Sequence, residues 1–182
     1  MAIREPERIW WKPFSKDERM WVTVAVVWML VSFLFMPIYH LYGAQNPPSE
    51  TYKVEPEAFD KLVTKMIDKY KVGEENGFPI VHPDPNEPVF IRAQMWQWYP
   101  IIEFEKGKTY RVHLSSMDIQ HGFSVQPINL NFMALPGYDY VLKLTPTTSG
   151  EFHIVCNEYC GVGHHTMVGK IYVKDAAKTA AN

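Results

Sequence analysis

A chain of 182 residues can hold one domain with a real core and one accessory element, but it is too short for two full domains. The formal net charge is −2 and the basic residues are scattered, so the sequence shows no face suited to nucleic acid or to anionic lipid. Two cysteines are too few for a disulfide framework. They lie four positions apart, at Cys156 and Cys160, among other residue types that bind metals.

The first element in the chain is an uncharged, mainly apolar stretch from Met20 to Tyr39. About twenty apolar residues, each adding ~1.5 Å of helix, span a hydrocarbon layer of ~30 Å once. Aromatic residues flank the stretch on both sides, as is typical of a membrane–water interface. We therefore predict a transmembrane helix over residues 20–41. The alternative is a cleaved signal peptide, whose apolar core usually covers only about 7 to 15 residues.

Basic residues are distributed unevenly around this stretch. Several precede it, whereas no Lys or Arg follows it before Lys53. By the positive-inside rule, the segment 1–19 is then cytoplasmic and the rest of the chain lies outside. The preceding basic residues are Arg4, Arg8, Lys12, Lys16 and Arg19.

The segment 42–76 is predicted to contain a linker and an amphipathic helix. Turn-forming residues at Gln45–Ser49 indicate the linker. Apolar residues then recur at spacings of three and four behind Pro56, which fits a helix with proline in its first turn. We expect this helix to pack on the following domain or to lie near the membrane surface. Its apolar residues are Phe59, Leu62, Val63, Met66, Ile67 and Tyr70.

From about Pro79 the apolar pattern changes to alternation, which indicates β-strands. Turn formers such as those at 105–108 separate the strands. Many short strands at this spacing predict a mainly β fold, either a sandwich or a barrel, over residues 77–175, with a frayed tail at 176–182. The candidate strands are Val89–Trp98, Thr109–Leu114, Gly122–Gln126, Tyr138–Leu144, Glu151–Cys156 and Val168–Val173.

One segment concentrates metal-binding residue types: two thiols, an imidazole and a thioether lie within twelve residues, from Cys156 to Met167. These soft or borderline ligands favour copper over magnesium or calcium, which prefer oxygen. Alternation in the preceding strand places Cys156 on its core-facing side. Gly161 and Gly163 allow the loop to turn back, so that Cys160 and His164 can approach Cys156.

Several kinds of site could use these residues. A mononuclear copper site needs one thiolate, two histidines and a weak methionine, and it leaves the second cysteine without a role. Two cysteines bridging two copper ions would need a further histidine, for which we choose His121 because it stands where a loop enters a strand. A disulfide and a zinc site of two cysteines and two histidines remain alternatives, although the zinc site leaves Met167 unexplained. A copper chaperone or storage protein is an alternative function.

The pattern Cys-x-Glu-x-Cys-Gly-x-x-His-x-x-Met, with an upstream Asp-x-x-His, resembles the purple dinuclear copper motif of cytochrome c oxidase subunit II. The likeness extends over the apolar stretch and the strand-rich region. It implies a cupredoxin-like β-sandwich anchored by one N-terminal transmembrane helix. It also implies a ligand set in which every position is filled: His121, Cys156, the backbone carbonyl of Glu158, Cys160, His164 and Met167.

This resemblance implies the subunit at which electrons enter a terminal respiratory oxidase. The family's dinuclear copper centre accepts electrons from a c-type cytochrome and passes them to haem in subunit I, where the proton-translocating complex reduces oxygen to water. The chain would then cross the inner membrane of a prokaryote once, with its N-terminus in the cytoplasm and its copper domain on the periplasmic side. Nitrous oxide reductase carries the same motif, but its catalytic domain would need a long further segment.

Three details refine the resemblance. A single predicted membrane helix, together with the His-Gly-Phe at His121, resembles the B-type branch of these oxidases. Trp96 matches the family's tryptophan at which electrons arrive, although it could instead be an ordinary core or rim aromatic residue. In many A-type members the glutamate matching Glu158 also holds a magnesium or manganese ion, and the sequence leaves that second metal open.

The other histidines have no predicted role. His113 and His153 alternate with apolar residues and are expected to face outward. His165 is adjacent to His164 and must point elsewhere. His40 and His82 have no partner that the sequence identifies.

Overall fold

A computed structural model describes residues 13–43, 50–128 and 130–175 of the chain. The chain divides into two compact units, Met1–Asn46 and Pro47–Asn182. Three predictions fall at least partly outside the described residues: those for positions 1–12 of the N-terminal segment, for the linker at Gln45–Ser49 and for the tail at 176–182.

The first unit contains one long helix, α1, at Lys16–Tyr42. A capping box starts it: the Ser15 hydroxyl accepts from the Glu18 amide at 3.1 Å, and the Glu18 carboxylate accepts from the Ser15 amide at 2.6 Å. At ~1.5 Å per residue, its 27 residues extend about 40 Å. Among the described residues it is the one helix long and apolar enough to cross a membrane, and none of its side chains is buried. The predicted span 20–41 lies within it.

The second unit contains the helix α2, Pro56–Tyr70, which packs on the β-strands. Its Phe59 and Val63 are fully buried, and the Phe59 ring meets the Phe90 ring edge-on at 5.6 Å. Of the two positions expected for this helix, packing on the domain is therefore the one observed.

The described residues form twelve strands in two sheets, and the first strand precedes α2. The strands are β1 Glu50–Lys53, β2 Lys71–Glu75, β3 Phe78–Val81, β4 Pro88–Gln94, β5 Gln97–Tyr99, β6 Ile101–Glu105, β7 Tyr110–Ser116, β8 His121–Gln126, β9 Leu130–Ala134, β10 Tyr138–Leu144, β11 Gly150–Cys156 and β12 Val168–Lys174. One sheet has the order β1-β10-β7-β4-β5 and the other β2-β3-β6-β12-β11-β8-β9. The predicted mainly β fold is confirmed. A short 3-10 helix occupies His164–Thr166.

The strand prediction differs from the structure in two ways. The predicted strand Val89–Trp98 is two strands, because the chain reverses between Gln94 and Gln97, which pair with each other across β4 and β5. The prediction also lacked β1, β2, β3, β6 and β9. Strand β6 lies between two parallel neighbours, and its residues 101–104 are all buried. Its alternating run covers only the four residues 102–105, which is a short signal for a strand.

Two histidines differ from expectation. His113 lies on the outer face of the five-stranded sheet, but its side chain is only 13% exposed. It hydrogen-bonds Asp139 at 2.7 Å and stacks on Phe90, which α2 covers. His82, for which the sequence identified no partner, lies 3.3 Å from the nearest carboxylate oxygens of Glu103 and Glu105. His153 is half-exposed, as expected.

The register of three strands brings the metal-binding residue types to one end of the sandwich. Strand β11 ends at Cys156, opposite Phe123 near the start of β8. On its other side, Val155 pairs with Val168, the first residue of β12. The loop after β11 and the start of β8 therefore meet at the same end of the domain.

Candidate metal centre

The loop 157–167 between β11 and β12, here called the ligand loop, is closed at its base. The Cys156 amide donates to the Met167 carbonyl at 3.1 Å, next to the last pair of the β11–β12 ladder. Cys156 and Met167 therefore face each other where the loop begins and ends. The pairing of β11 with β12 alone places both residues.

Cys156 has three donor atoms near its sulfur. Its Sγ lies 3.7 Å from Cys160 Sγ, 3.9 Å from His121 Nδ1 and 3.2 Å from the carbonyl oxygen of Glu158. The donor atoms of His121, Cys156 and Cys160 all lie within 4.8 Å of one another. A separation of 3.7 Å is far longer than the ~2.05 Å of a disulfide bond, and both cysteines are free.

Cys160 has its own set of neighbours. Its Sγ lies 3.5 Å from His164 Nδ1 and 3.7 Å from Met167 Sδ. The donors around the two thiols thus divide into a His121 side at Cys156 and a His164 side at Cys160. All the ligand positions that the sequence predicted converge here, whereas His165 is exposed and has no part in the cluster.

Four residues of the cluster are buried, whereas His164 is partly exposed. Cys156 is 4% exposed, Cys160 1%, and His121 and Met167 0%. Burial, reinforced by the hydrogen bond to Cys156 and by the electrostatic effect of that neighbour, raises the pKa of the Cys160 thiol to about 11. A metal ion that binds here must therefore displace a proton from Cys160. Soft sulfur and imidazole donors in a water-excluded site fit a soft transition metal.

Asp118 orients His121 from the side away from the thiols. Its Oδ1 accepts from His121 Nε2 at 2.8 Å, which leaves His121 Nδ1 facing Cys156. Its Oδ2 accepts from the Met95 amide at 2.7 Å. Burial alone would raise the pKa of Asp118, but hydrogen bonds from Met95, His121 and Ile119 together hold it below its ordinary value. The sequence showed the Asp-x-x-His spacing, but spacing alone assigned Asp118 no role.

Trp96 lies between the ligand loop and solvent. Its ring is 41% exposed, and its Nε1 donates to the Cys160 carbonyl at 3.0 Å. Gly161 has a φ of +106°, a conformation that side chains rarely adopt. A Cβ on Gly163 would lie 2.3 Å from Cδ2 of the Trp96 ring. Both glycines are therefore required for this loop to lie under the indole.

Sequence reasoning also missed Trp98, which is 2% exposed. Its ring stands edge-on to the rings of His121, at 6.2 Å, and Phe123, at 5.3 Å. The sequence signal was only a second tryptophan in an aromatic cluster. The Glu158 carboxylate, by contrast, accepts from Gln120 Nε2 at 3.4 Å, and only the backbone carbonyl of Glu158 lies beside Cys156 Sγ.

Residues 101–174 match the sequence model of the periplasmic domain of cytochrome c oxidase subunit II. Cytochrome c oxidase subunit 2 of Thermus thermophilus is 37% identical over 98 residues, which cover 53% of this chain and 73% of that relative. A second sequence of cytochrome c oxidase subunit 2 from Thermus thermophilus is also 37% identical over 98 residues, which cover 53% of this chain and 58% of that relative. A probable cytochrome c oxidase subunit 2 of Streptomyces coelicolor is 36% identical over 74 residues, 41% of this chain and 23% of the relative.

Two solved structures are similar in fold. A chain of a haem-copper terminal oxidase dimer, determined by cryo-electron microscopy, matches with a TM-score of 0.56 and 25% identity over 87% of this chain and 100% of that one. Rusticyanin from Thiobacillus ferrooxidans matches with a TM-score of 0.50 and 16% identity over 70% of this chain and 99% of that one, which shows the fold alone. The predicted cupredoxin-like sandwich is confirmed.

Proposed function

This chain belongs to the family of cytochrome c oxidase subunit II, part of an oxidoreductase complex, and we propose that it is the subunit at which electrons enter a terminal respiratory oxidase. In this proposal a c-type cytochrome is the donor, and haem in subunit I is the acceptor that leads to reduction of oxygen to water. The complex as a whole carries the oxygen chemistry and the proton translocation. The convergence of nitrogen, sulfur and carbonyl donors around two buried thiols carries the proposal.

The proposed cofactor is a pair of copper ions, which would supply a one-electron carrier. Copper is favoured because thiolate, imidazole and thioether donors are the soft ligands it prefers. A mononuclear copper site needs one thiolate and would leave the second thiol without a role, whereas a pair of copper ions would use both thiols and both histidines. The proposed ligands are His121, Cys156, the backbone carbonyl of Glu158, Cys160, His164 and Met167.

The protein contributes rigidity and exclusion of water. Cys156 and Met167 are held at the base of the ligand loop by the β11–β12 ladder, and His121 begins a strand. Donor atoms fixed by strand ends move little when the charge of the site changes, so the reorganisation on electron transfer is small. Burial and hydrogen bonds around the donors set the potential of the site.

Trp96 is the proposed contact for the electron donor. It joins solvent to the cluster, because it is partly exposed and its Nε1 donates to the carbonyl of Cys160. Exposed aromatic residues are frequent anchors in protein interfaces. We expect Trp96→Phe to slow reduction by a c-type cytochrome in the assembled oxidase, because the ring loses its link to Cys160, while the spectrum of the copper site is retained.

The membrane arrangement is part of the proposal. α1 is long enough to cross the bilayer, and the basic residues before it favour a cytoplasmic N-terminus with the copper domain on the periplasmic side. A single spanning helix among the described residues also agrees with the B-type branch. A magnesium or manganese ion at Glu158 has less support, because Gln120 is the one polar side chain at hydrogen-bond distance from its carboxylate among the described residues.

The metal site is tested on the full chain in detergent. The protein is loaded with copper, the bound copper is counted, and the electron paramagnetic resonance spectrum is recorded. We expect a purple protein whose unpaired electron is shared equally by two copper nuclei. His164→Ala should abolish the equal sharing, since it removes a donor 3.5 Å from Cys160 Sγ.

His165→Ala is the matched control, because this neighbouring histidine is exposed and outside the cluster. It should leave the spectrum unchanged. A single-nucleus pattern in the unsubstituted chain, or a colourless protein that retains zinc in preference to copper, would overturn the proposed function.

A further inference from the structure

Asp118 lies on the turn between β7 and β8, and both of its carboxylate oxygens are used. Oδ1 accepts from His121 Nε2 at 2.8 Å and from the Ile119 amide at 2.7 Å. Oδ2 accepts from the Met95 amide at 2.7 Å. The side chain is 20% exposed, so these bonds are only partly open to water. One carboxylate therefore joins a proposed metal ligand to the turn between β4 and β5, which is remote in sequence.

We infer that Asp118 is a positioning residue that couples the orientation of His121 to the placement of Trp96. The inference rests on the proposed copper function, which supplies the site that His121 would bind and the electron path on which Trp96 would lie. It adds to that function one carboxylate, that of Asp118, on which both the proposed electron contact Trp96 and the proposed ligand His121 depend.

The His121 side of this link acts through the imidazole. Because Nε2 donates to Asp118, the other ring nitrogen is left to face Cys156 Sγ, at 3.9 Å. A carboxylate on the far nitrogen fixes the tautomer and the ring orientation of a metal-binding histidine and makes it a stronger donor. A stronger donor stabilises the oxidised form of a bound metal relative to the reduced form.

The Trp96 side of the link acts through the backbone. Met95, whose amide Asp118 accepts, directly precedes Trp96, so the carboxylate anchors the turn from which the indole extends. The indole then lies against the ligand loop and donates to the Cys160 carbonyl at 3.0 Å. The contacts thus run from His121 through Asp118, Met95 and Trp96 to Cys160. Loss of the carboxylate would release both ends of this chain of contacts.

The chain contains a matched pair for comparison. Asp139 accepts from His113 Nδ1 at 2.7 Å, close to the 2.8 Å between Asp118 and His121. His113 has no sulfur neighbour at hydrogen-bond distance among the described residues, and it stacks on Phe90 instead. Asp139→Asn therefore removes the same kind of Asp–His contact away from the proposed metal site.

The test compares Asp118→Asn with Asp139→Asn in the full chain in detergent, loaded with copper. An amide offers one acceptor oxygen in place of two, so Asp118→Asn cannot serve both His121 and Met95. We expect a loss of copper affinity of about 10- to 100-fold. The midpoint potential should rise, by about 59 mV for each tenfold loss in the oxidised form relative to the reduced form. The indole N–H resonance of Trp96 in the reduced protein should shift. Asp139→Asn should change none of the three.

A measurement on the unsubstituted chain covers the case in which Asp118→Asn does not fold. The nitrogen resonances of His121 should show a proton on Nε2, and the Met95 amide should exchange slowly with solvent. A proton on Nδ1 instead, or rapid exchange at Met95, would contradict the inference. An Asp118→Asn protein with unchanged midpoint potential and unchanged Trp96 resonance would also contradict the inference, but it would leave the proposed function intact. An unsubstituted chain without the two-copper spectrum would overturn the proposed function itself.

Discussion

Two histidines in this chain each share a short hydrogen bond with an aspartate, but they lie in different surroundings. His121 meets Asp118 at 2.8 Å at the end of the sandwich where β8 begins, with a thiol on its other ring nitrogen. His113 meets Asp139 at 2.7 Å on the outer face of the five-stranded sheet, with the Phe90 ring at 4.8 Å. An Asp–His contact therefore does not by itself indicate a metal site, and the surrounding donors decide what it does.

The two regions also differ in how their carboxylates are satisfied. Both oxygens of Asp118 accept hydrogen bonds, whereas Oδ1 of Asp139 is buried without a hydrogen-bond partner in the described part of the chain. At the candidate metal centre, polar groups fix the donor atoms in place. On the α2 face, which comprises Phe90, His113 and Asp139 with the helix that covers Phe90, apolar packing holds the region together. Function and stability should therefore respond to different substitutions.

The largest expected difference concerns copper itself. Cys156→Ser removes a sulfur that neighbours every donor on the His121 side, so the two-copper spectrum should be lost completely. His113→Ala should keep the bound copper and its spectrum, because no thiol contacts that ring. Copper content and electron paramagnetic resonance would measure both. If Cys156→Ser retained the two-copper spectrum, Cys156 could not be a ligand of the proposed copper pair.

The reverse effect is expected on the α2 face. Phe59→Ala removes a fully buried ring that meets Phe90 edge-on, and such truncations cost about 3 to 5 kcal/mol. Leu62→Ala on the same helix is the control, because Leu62 is 40% exposed and the change should cost far less. Denaturant unfolding followed by circular dichroism would measure the free energies. A copper spectrum altered by Phe59→Ala in the folded protein would contradict the independence of the two regions.

A smaller effect is expected where Trp96 meets the ligand loop. In Gly163→Ala the new methyl group would overlap the indole, so the ring must move away from Cys160. Overpacking of this kind costs about 1 to 3 kcal/mol, and we expect slower reduction by the donor cytochrome. At Gly73 an added methyl group finds its nearest neighbour at 3.8 Å, which makes Gly73→Ala the control. Equal reduction rates in Gly163→Ala and Gly73→Ala would show that the position of Trp96 does not affect electron transfer from the donor.

The smallest effect concerns pH and lies on β2, at Glu75. Hydrogen bonds from Lys170 and Tyr172 hold the pKa of Glu75 below its ordinary value of 4.5. A lowered folded-state pKa stabilises the protein above pH 4.5, and this stabilisation is lost as the pH falls through the folded-state value.

Glu75→Gln should therefore be slightly less stable than the unsubstituted chain at neutral pH, and the difference should disappear in acid. Unfolding midpoints measured between neutral pH and about pH 3 would show this. Glu74→Gln, at an exposed position, is the control. A difference that grows in acid would have the wrong sign and would contradict the assignment.

The ligand loop could be predicted because its residues are close in sequence. A hairpin brings Cys156 and Met167 together by strand pairing alone, and soft ligand types at that spacing have few other uses. His121 required a further step, namely that loop residues at one end of a sandwich meet. The role of Asp118 could not be reached, because its contact with Met95 depends on a turn that the sequence pattern merged into one strand.

The remaining differences have separate physical causes. The alternating run in β6 covers only the four residues 102–105, which is a short signal for a strand. His113 was expected at the surface because it alternates with apolar residues, but α2 covers Phe90 beside it. The sequence did not show which strands this helix would cover.

The antiparallel pairing of β1 with β10 determines where a water-soluble fragment of this chain can begin. A fragment cut at residue 77 would lose α2 and β1, leaving the Phe90 ring bare and the backbone groups of β10 unpaired along a sheet edge. Such an edge recruits other chains and promotes aggregation. A fragment that begins at Glu50 keeps both elements, and it would allow the metal chemistry to be studied in water without detergent.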